Sequence, residues 1–209
     1  MIKVGIVGAG LIGRKRAESI RSTNLGNEIV AICDIDMRKA EELSGRYGIN
    51  ACQDWKSIIT NKEIDTVVVA TPNKYLKEIS LGALENNKNV LCEKPLGKDA
   101  KEAEKIYLKA KEKKKILKTG FNHRHHPAIM KAKSLVDRGE LGNLLYIRCV
   151  YGHGGREGYE KEWRASRDLC GGGELLDQGV LSSVEALIDL RDPRVEAAQS
   201  LPHCFVPPP

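Results

Sequence analysis

A glycine-rich turn near the amino terminus constrains this chain more than any other feature. Residues 2–7, apolar except for Lys3, predict a buried strand, residues 8–13 read Gly-Ala-Gly-Leu-Ile-Gly, and residues 28–33 predict a second strand followed by Asp34. A strand, this turn, a helix, a second strand and an acid, in that order, are typical of a βαβ unit that binds the diphosphate of a dinucleotide. A glycine-rich turn in an unrelated α/β protein is the alternative.

Each part of this unit has a physical role. Gly8 permits a tight turn out of the strand, and Gly10 has no side chain to keep the backbone away from a pyrophosphate. The helix that follows presents free N–H groups and the positive end of its dipole to phosphates. Asp34 is placed to accept hydrogen bonds from the adenosine ribose and to repel a 2′-phosphate, which favours NAD. Arg38 is a nearby cation that favours the alternative, NADP.

Strands and helices alternate through the first 120 residues, which predicts a doubly wound parallel α/β sheet of the Rossmann type. The strand candidates are 2–7, 28–33, 66–70, 89–92 and 116–119, with a short one near 51–52. The helix candidates are 11–22, 37–47, 54–60, 75–86 and 99–114. Such sheets bind ligands beyond the carboxyl ends of their strands. Polar turns that follow these ends are therefore candidate cofactor-binding residues: Asp34, Thr71, Pro72, Asn73, Glu93 and Lys94.

The rest of the chain predicts the start of an α+β domain. A helix near 128–138 begins after a proline, a strand is expected over 144–151, and another helix is expected from Glu174. We therefore divide the chain into an NAD(P)-binding domain over 1–121, a partial substrate and oligomerisation domain over 122–180, and an atypical tail over 181–209. The tail has no lysine, glycine or asparagine. This shift in composition predicts a truncated frame or a foreign tail, with a natural short protein as the alternative.

Composition excludes several classes of function. The net charge is +6, but lysines of the 99–114 helix alternate with glutamates on a solvated face, and its one aromatic residue, Tyr107, belongs to the apolar positions, so no nucleic-acid partner is expected. No run of about 20 apolar residues predicts a membrane span. The six cysteines include no CxxC pair, which favours reduced thiols in the cytoplasm and no metal site.

Two charged residues are catalytic candidates. Lys94 precedes Pro95 at a strand end, so its side chain could bind both a nicotinamide ribose and a substrate hydroxyl, and its charge would favour an alkoxide-like form. The alternative is an ordinary surface lysine. Asp177 follows three glycines and could orient a base or accept a substrate hydroxyl. The alternative is an acid placed favourably in the first turn of a helix.

A second group of residues favours substrate binding. Its members combine hydrogen-bond donors, aromatic rings and two cations, as a polyhydroxylated and anionic ligand would require. They are Arg156, Tyr159, Trp163 and Arg164. A stacked surface cluster is the alternative. The three histidines within 123–126 lack partners at metal-ligand spacing, so hydrogen bonding at a helix start is the interpretation we favour for them.

Several motifs in order make the chain resemble the Gfo/Idh/MocA family, the group of glucose–fructose oxidoreductase and inositol dehydrogenase. They are the glycine-rich fingerprint, Ala70-Thr71-Pro72-Asn73, Glu93-Lys94-Pro95, Asn122-His123-Arg124-His125-His126-Pro127, Leu141-Gly142 and Gly171-Gly172-Gly173 with Asp177-Gln178-Gly179. The resemblance covers residues 1 to about 180. It implies a Rossmann domain followed by a domain with a large open sheet. The implied activity is hydride transfer between NAD(P) and a carbon of a sugar, polyol or sugar nucleotide.

The resemblance also implies roles for individual residues. Lys94 and Asp177 would be catalytic, with Asp177 supporting a general base that in the family is usually a histidine four residues later. Cofactor binding is implied for Gly8, Ala9, Gly10, Leu11, Ile12, Asp34, Arg38, Thr71, Pro72, Asn73, Glu93, Lys94 and Asn122. Substrate binding is implied for Lys94, Arg124, Arg156, Tyr159, Trp163, Arg164 and Asp177.

The position of the family's base is Leu181 in this chain. Loss of a general base typically lowers a rate by about 10²–10⁴-fold. The alternatives to a dehydrogenase are therefore a nucleotide-binding protein without turnover and an inactive fragment of such an enzyme. Homo-oligomers are implied by the family, but the incomplete second domain argues against them for this chain.

Overall fold

The structure is a computed structural model, and it describes residues 1–23, 25–143, 145, 157–172, 176 and 179. Contacts divide the chain into two units, Met1–Thr119 and Gly120–Pro209. The two units are described separately below.

The first unit contains a six-stranded parallel sheet. Its strands are β1 (Lys3–Val7), β2 (Glu28–Cys33), β3 (Asn50–Cys52), β4 (Thr66–Val69), β5 (Asn89–Cys92) and β6 (Leu117–Thr119). The strands lie in the order β3-β2-β1-β4-β5-β6, and every neighbouring pair is parallel. The predicted fold class is therefore confirmed for this part of the chain, since this order is that of a doubly wound dinucleotide-binding sheet.

Helices alternate with these strands. They are α1 (Leu11–Ser22), α2 (Met37–Gly45), α3 (Trp55–Thr60), α4 (Asn73–Glu85) and α5 (Ala100–Glu112). The carboxylates of Asp36, Asp54 and Asp99 accept hydrogen bonds from first-turn amides and so fix the starts of α2, α3 and α5. The start of α1 has no such side-chain cap, because its N-cap residue is Gly10.

The core of this unit follows from strands that are apolar on both faces. Ile6, Ile32 and Val67 are fully buried at the centre of the sheet. A parallel sheet with helices on both faces buries both sides of each strand, so alternation of polar and apolar residues is not expected. On α5, Ile106 and Ala110 are buried, and Lys109 pairs with Glu112 at 2.8 Å on the solvated face.

The second unit is described in part. A 3-10 turn covers Asn122–His125, and α6 (Pro127–Asp137) follows, one residue earlier than its sequence suggests. Two further 3-10 turns, Tyr159–Lys161 and Trp163–Ala165, precede the short α7 (Arg167–Cys170). The strand expected over 144–151, the helix expected from Glu174 and the tail over 181–209 lie outside the described residues.

Two further findings apply to the described part of the chain. None of its helices combines the length and the apolar character needed to cross a membrane. Among the described residues, no group of three or more His, Cys, Asp or Glu side chains could hold a metal ion.

Candidate functional site

The candidate site lies at the carboxyl edge of the sheet. Because the strands are parallel, the residues that follow β1, β2, β4 and β5 all emerge at this edge. These residues begin with Gly8, Asp34, Ala70 and Glu93, respectively. Strands β2 and β3 lie on one side of β1, and β4, β5 and β6 lie on the other side, so the strand order switches between β1 and β4. Ligands of such sheets bind at this switch point.

The glycine-rich turn is packed too tightly for side chains at two of its positions. Gly8 has a φ of +104°, and a Cβ there would collide with the backbone of Ala70. A Cβ on Gly13 would overlap the carbonyl oxygen of Gly8. Helix α1 therefore starts in direct contact with the turn, and the turn in contact with the end of β4.

Gly10 differs from these two glycines. Apart from its chain neighbours, no described residue would come within 4 Å of a Cβ built on Gly10. Gly10 is also the N-cap of α1, with an ordinary φ of −70° and no side chain to bond the first-turn amides. The first amides of a helix have no acceptor within the helix, so they are available here to an external anion that approaches over Gly10.

The carboxylate of Asp34 is held against this turn. One oxygen accepts a hydrogen bond from the Ala9 amide at 2.7 Å, and the other accepts from the Asp36 amide at 2.9 Å. The Asp34 amide donates to the carbonyl of Cys52 at 3.2 Å. Both ends of the residue are thus fixed, which orients the carboxylate beside the start of α1.

Arg38 lies in the first turn of α2 and is 90% exposed at its side chain. Its Nε donates to the Asp36 carboxylate at 3.2 Å. This hydrogen bond lowers the pKa of Asp36 below its usual value. The Asp36 carboxylate therefore binds the Arg38 guanidinium, most of which still faces solvent. In sequence, Arg38 lies close to Asp34.

The turn after β4 leads directly into α4. Asn73 is the first residue of the helix, two residues before the predicted start, and it is buried. Pro72 takes the N-cap position in an extended conformation. Thr71 Oγ1 is buried and has no hydrogen-bond partner among the residues that the structure describes. A buried hydroxyl in this state is expected to bind a ligand, because leaving it unsatisfied costs free energy.

The turn after β5 carries the candidate Lys94. The Leu96 amide donates to the Glu93 carbonyl at 3.2 Å, and the Lys94–Pro95 peptide is cis, so the four residues form a β-turn. Lys94 is partly exposed in this turn. The Glu93 carboxylate accepts from Nε of Arg16 on α1 at 2.6 Å. This largely buried ion pair fixes the turn to the helix of the glycine-rich fingerprint.

Two candidates lie at the start of the second unit. Asn122 is exposed in the first 3-10 turn, and Arg124 in the same turn is half-buried, which lowers the pKa of its guanidinium. The Nδ1 atom of His126 accepts a hydrogen bond from the Ala128 amide at 3.2 Å and caps α6. His126 therefore makes the helix-start hydrogen bond that was the favoured interpretation of the histidines within 123–126.

The candidate substrate cluster is described in part. The Arg164 guanidinium lies over the Trp163 ring at 4.6 Å and donates to Glu162 at 3.1 Å. Tyr159 begins the preceding 3-10 turn and is partly buried. The Arg164–Trp163 pair thus has the stacked geometry of the alternative for this cluster. The remaining candidates Arg156 and Asp177, together with Leu181, lie outside the described residues.

Sequence reasoning missed Ile35. This apolar residue follows Asp34 directly and is 84% exposed. Its carbonyl accepts from Gln53 Nε2 at 2.9 Å, which fixes the loop. Leu11, which is among the candidates, is likewise 62% exposed at the start of α1. The sequence does contain a signal for Ile35, since it is an apolar residue in an otherwise polar turn.

The chain matches known protein families over most of its length. Residues 2–121 match the model of an oxidoreductase family with an NAD-binding Rossmann fold, GFO_IDH_MocA. Residues 129–182 match the GFO/IDH/MocA C-terminal domain. This chain belongs to the GFO/IDH/MocA family. The predicted resemblance is thus confirmed, and so is the assignment of the amino-terminal sheet to an NAD-binding fold.

Named relatives of this GFO/IDH/MocA chain are dehydrogenases. Inositol 2-dehydrogenase of Salmonella paratyphi B is 32% identical over 150 residues, which are 70% of this chain and 44% of that protein. Levoglucosan dehydrogenase of Pseudarthrobacter phenanthrenivorans is 29% identical over 188 residues, which are 84% of this chain and 48% of that protein. The chain therefore spans about half the length of the curated relatives it matches.

Two solved structures are similar to this chain. A levoglucosan dehydrogenase in complex with NADH and levoglucosan has a TM-score of 0.78 and 28% identity, covering 90% of this chain and 53% of that chain. The 3-ketoreductase KijD10 from Actinomadura kijaniata, in complex with NADP, has a TM-score of 0.76 and 28% identity, covering 85% of this chain and 54% of that chain.

Proposed function

We propose that this chain is an NAD(P)-dependent oxidoreductase that transfers hydride between the nicotinamide and a carbon of a sugar or polyol. The observation that carries the proposal is the arrangement of Gly10 and Asp34. An uncapped helix start, open space over a glycine and a carboxylate fixed beside both are what a diphosphate and an adjoining ribose require. The names of the relatives support the same activity.

The residues present fit a dinucleotide in detail. Amides of Gly10, Leu11 and Ile12 would bind the diphosphate, since those of Gly8 and Ala9 already donate to Cys33 and Asp34, and Asp34 would accept from the ribose hydroxyls. Ile35 would contact the adenine, because its exposed side chain follows Asp34 directly. Thr71 Oγ1 would donate to the cofactor and so gain the partner that the described residues do not provide. NAD is the proposed cofactor, since the fixed carboxylate of Asp34 disfavours a 2′-phosphate; Arg38 would be the contact for NADP.

Lys94 is the residue to which we assign catalysis within the first unit. The bound nicotinamide would accept or supply the hydride. Lys94 would donate hydrogen bonds to the nicotinamide ribose and to the reacting hydroxyl, and its charge would stabilise the developing alkoxide. Glu93 would hold this turn against α1, because its carboxylate is bound to Arg16.

The second unit would supply substrate contacts. We assign this role to Arg124, Arg156, Tyr159 and Asp177, with residues 122–180 as the substrate domain. Arg164 is a weaker candidate than its sequence suggests, since Glu162 and the Trp163 ring already bind its guanidinium. An anionic sugar, such as a uronic acid or a nucleotide-linked sugar, remains the substrate class that Arg124 and Arg156 favour.

The test is a substrate panel with NAD and NADP, followed at the nicotinamide absorbance band. The panel contains myo-inositol, levoglucosan, a uronic acid and a nucleotide-linked sugar. Lys94→Ala is expected to lower kcat by about 10²–10³-fold while NADH still binds. Lys101→Ala, on the exposed face of α5, is the matched control and is expected to leave kcat unchanged. Equal rates for the two variants would refute the role of Lys94.

A dinucleotide-binding protein without turnover is the second candidate. Leu181 occupies the position at which the family resemblance places the base, which favours this candidate. Saturable NADH binding with no substrate-dependent NADH formation across the panel would establish it. Self-association and a cytoplasmic location are also proposals; the spacing of the six cysteines, which include no CxxC pair, supports a reducing compartment.

A further inference from the structure

Two cysteines face each other across neighbouring strands beside the candidate site. Cys33 ends β2, Cys52 ends β3, and the two residues are directly paired in the parallel ladder. Side chains paired in this way point to the same face of the sheet, with Cα atoms about 4.8 Å apart. That separation lies within the range of about 4.4–6.8 Å that a disulfide requires.

The two thiols interact and differ in environment. Cys33 is 1% exposed, and both its hydrogen bond to Cys52 and its burial raise the pKa of its thiol. The hydrogen bond from Cys33 lowers the pKa of Cys52, and the Ser57 hydroxyl acts in the same direction. Cys52 is also partly exposed. It is therefore the nucleophile of the pair, and Cys33 is the buried partner.

The strand that carries Cys52 can adjust to a covalent bond. β3 has three residues and lies at the edge of the sheet, so only β2 pairs with it. A short edge strand moves at lower cost than a central strand, because fewer hydrogen bonds and packing contacts oppose the movement. The bond would bring the sulfur atoms to about 2.05 Å.

The pair is connected directly to the residues assigned to the cofactor. Cys33 precedes Asp34 in sequence, and the Asp34 amide donates to the Cys52 carbonyl at 3.2 Å. The Gly8 amide donates to the Cys33 carbonyl at 2.8 Å. A shift of either cysteine backbone therefore moves both the ribose-binding carboxylate and the glycine-rich turn.

We propose that Cys33 and Cys52 form a reversible disulfide when the protein meets a hydroperoxide, and that this bond weakens dinucleotide binding. The second half of this proposal rests on the proposed function, whereas the first half does not. No residue of the pair is assigned to hydride transfer.

The chemistry balances as a two-electron oxidation. The Cys52 thiolate attacks the hydroperoxide, the O–O bond breaks, and Cys52 becomes a sulfenic acid while an alcohol or water leaves. The Cys33 sulfur then attacks the Cys52 sulfur, the S–S bond forms and the S–O bond breaks. The hydroxide that leaves takes the Cys33 proton as water. Two thiols are oxidised, and one hydroperoxide is reduced.

The experiment treats the full chain with hydrogen peroxide, blocks the remaining thiols, and maps the peptides by mass spectrometry. A cross-linked peptide pair containing Cys33 and Cys52, lighter by two hydrogen atoms and restored by dithiothreitol, is expected. The dissociation constant for NADH is measured before and after oxidation. An increase of roughly three- to tenfold is expected, about the contribution of one hydrogen bond.

Variants separate the steps. Cys52→Ser is expected to leave Cys33 unoxidised, and Cys33→Ser is expected to leave a sulfenic acid on Cys52 that dimedone traps. Cys92→Ser is the matched control; Cys92 is buried, which raises the pKa of its thiol to about 12, and the cross-link should form as in the original chain.

The outcomes are distinct. Absence of the cross-link in folded protein, or oxidation of Cys33 by hydrogen peroxide in Cys52→Ser, overturns the assignment of the pair. A cross-link with an unchanged dissociation constant for NADH overturns the coupling to the cofactor site. Failure of the reduced protein to bind NADH counts against the proposed function instead, because the peptide map still decides whether the two thiols join.

Discussion

Gly10→Ala tests the central feature of the site with a single methyl group. Beyond its chain neighbours, the new Cβ would meet no atom within 4 Å in the part of the chain that the structure describes, and Gly10 has a φ of −70°, which alanine adopts without strain. The methyl group would point into the space over the start of α1, where the account places the diphosphate. The variant is therefore expected to fold normally and to bind the dinucleotide poorly.

The magnitudes can be worked out separately for folding and binding. Alanine is a poorer N-cap than glycine, which lowers the free energy of unfolding by roughly 0.5–1 kcal/mol. Alanine also reduces the conformational entropy of the unfolded chain, which raises the free energy of unfolding by about 0.4–1 kcal/mol. The free energy of unfolding should thus change by less than about 0.5 kcal/mol. Steric overlap with the diphosphate costs about 1–3 kcal/mol, which raises the dissociation constant roughly 5- to 150-fold.

Two assays on the same preparation decide the matter: urea unfolding, and calorimetric titration with NADH. Gly45→Ala is the matched control, because a Cβ at the end of α2 also meets no atom within 4 Å. It should leave NADH affinity unchanged. If Gly10→Ala binds NADH as tightly as the original chain, the diphosphate does not lie over Gly10. If it unfolds at much lower urea concentration, the assumed open space is wrong.

Three further variants extend the test. Asp34→Asn removes a charge-assisted contact to the ribose, so NADH affinity should fall roughly 10- to 150-fold while the preference for NADPH over NADH rises; fluorescence titration measures both. Glu93→Gln should lower the free energy of unfolding by about 1–3 kcal/mol in urea, because it weakens the largely buried pair with Arg16. The Arg14 guanidinium lowers the pKa of Glu42 from 4.5 to about 2, so this carboxylate stabilises the fold above pH 4.5 and the effect is lost as the pH falls through about 2. The difference in unfolding midpoint between the original chain and Glu42→Gln should disappear over that range; a difference independent of pH would contradict the pairing.

The sequence predicted the sheet of the first unit closely because local patterns determine it. Residues 67–69 are three consecutive buried valines, and a strand covered on both faces buries such a run. The short β3 was placed near 51–52, within one residue of its observed bounds. The start of α4 was placed two residues late, since Pro72 is at the N-cap and not inside the first turn.

The partners of the site residues could not be predicted in the same way. Arg16 and Glu93 are 77 residues apart, and their pairing depends on how α1 crosses the sheet. The pairing of Cys33 with Cys52 depends on the register of β2 against β3, which hydrophobic periodicity does not specify. The hydrogen bond from the Ala9 amide to Asp34 likewise requires the exact packing of the glycine-rich turn. Sequence identified the chemical groups, whereas three-dimensional packing determined their contacts.

Calorimetric titration of the folded, reduced full chain with NADH tests directly whether the chain binds a dinucleotide. We expect one NADH site per chain, with a dissociation constant in the range of roughly 1 µM to 1 mM, which is typical of ligands that enzymes bind. Absence of heat exchange with both NADH and NADPH at concentrations of about 1 mM, in protein that unfolds cooperatively, would contradict it.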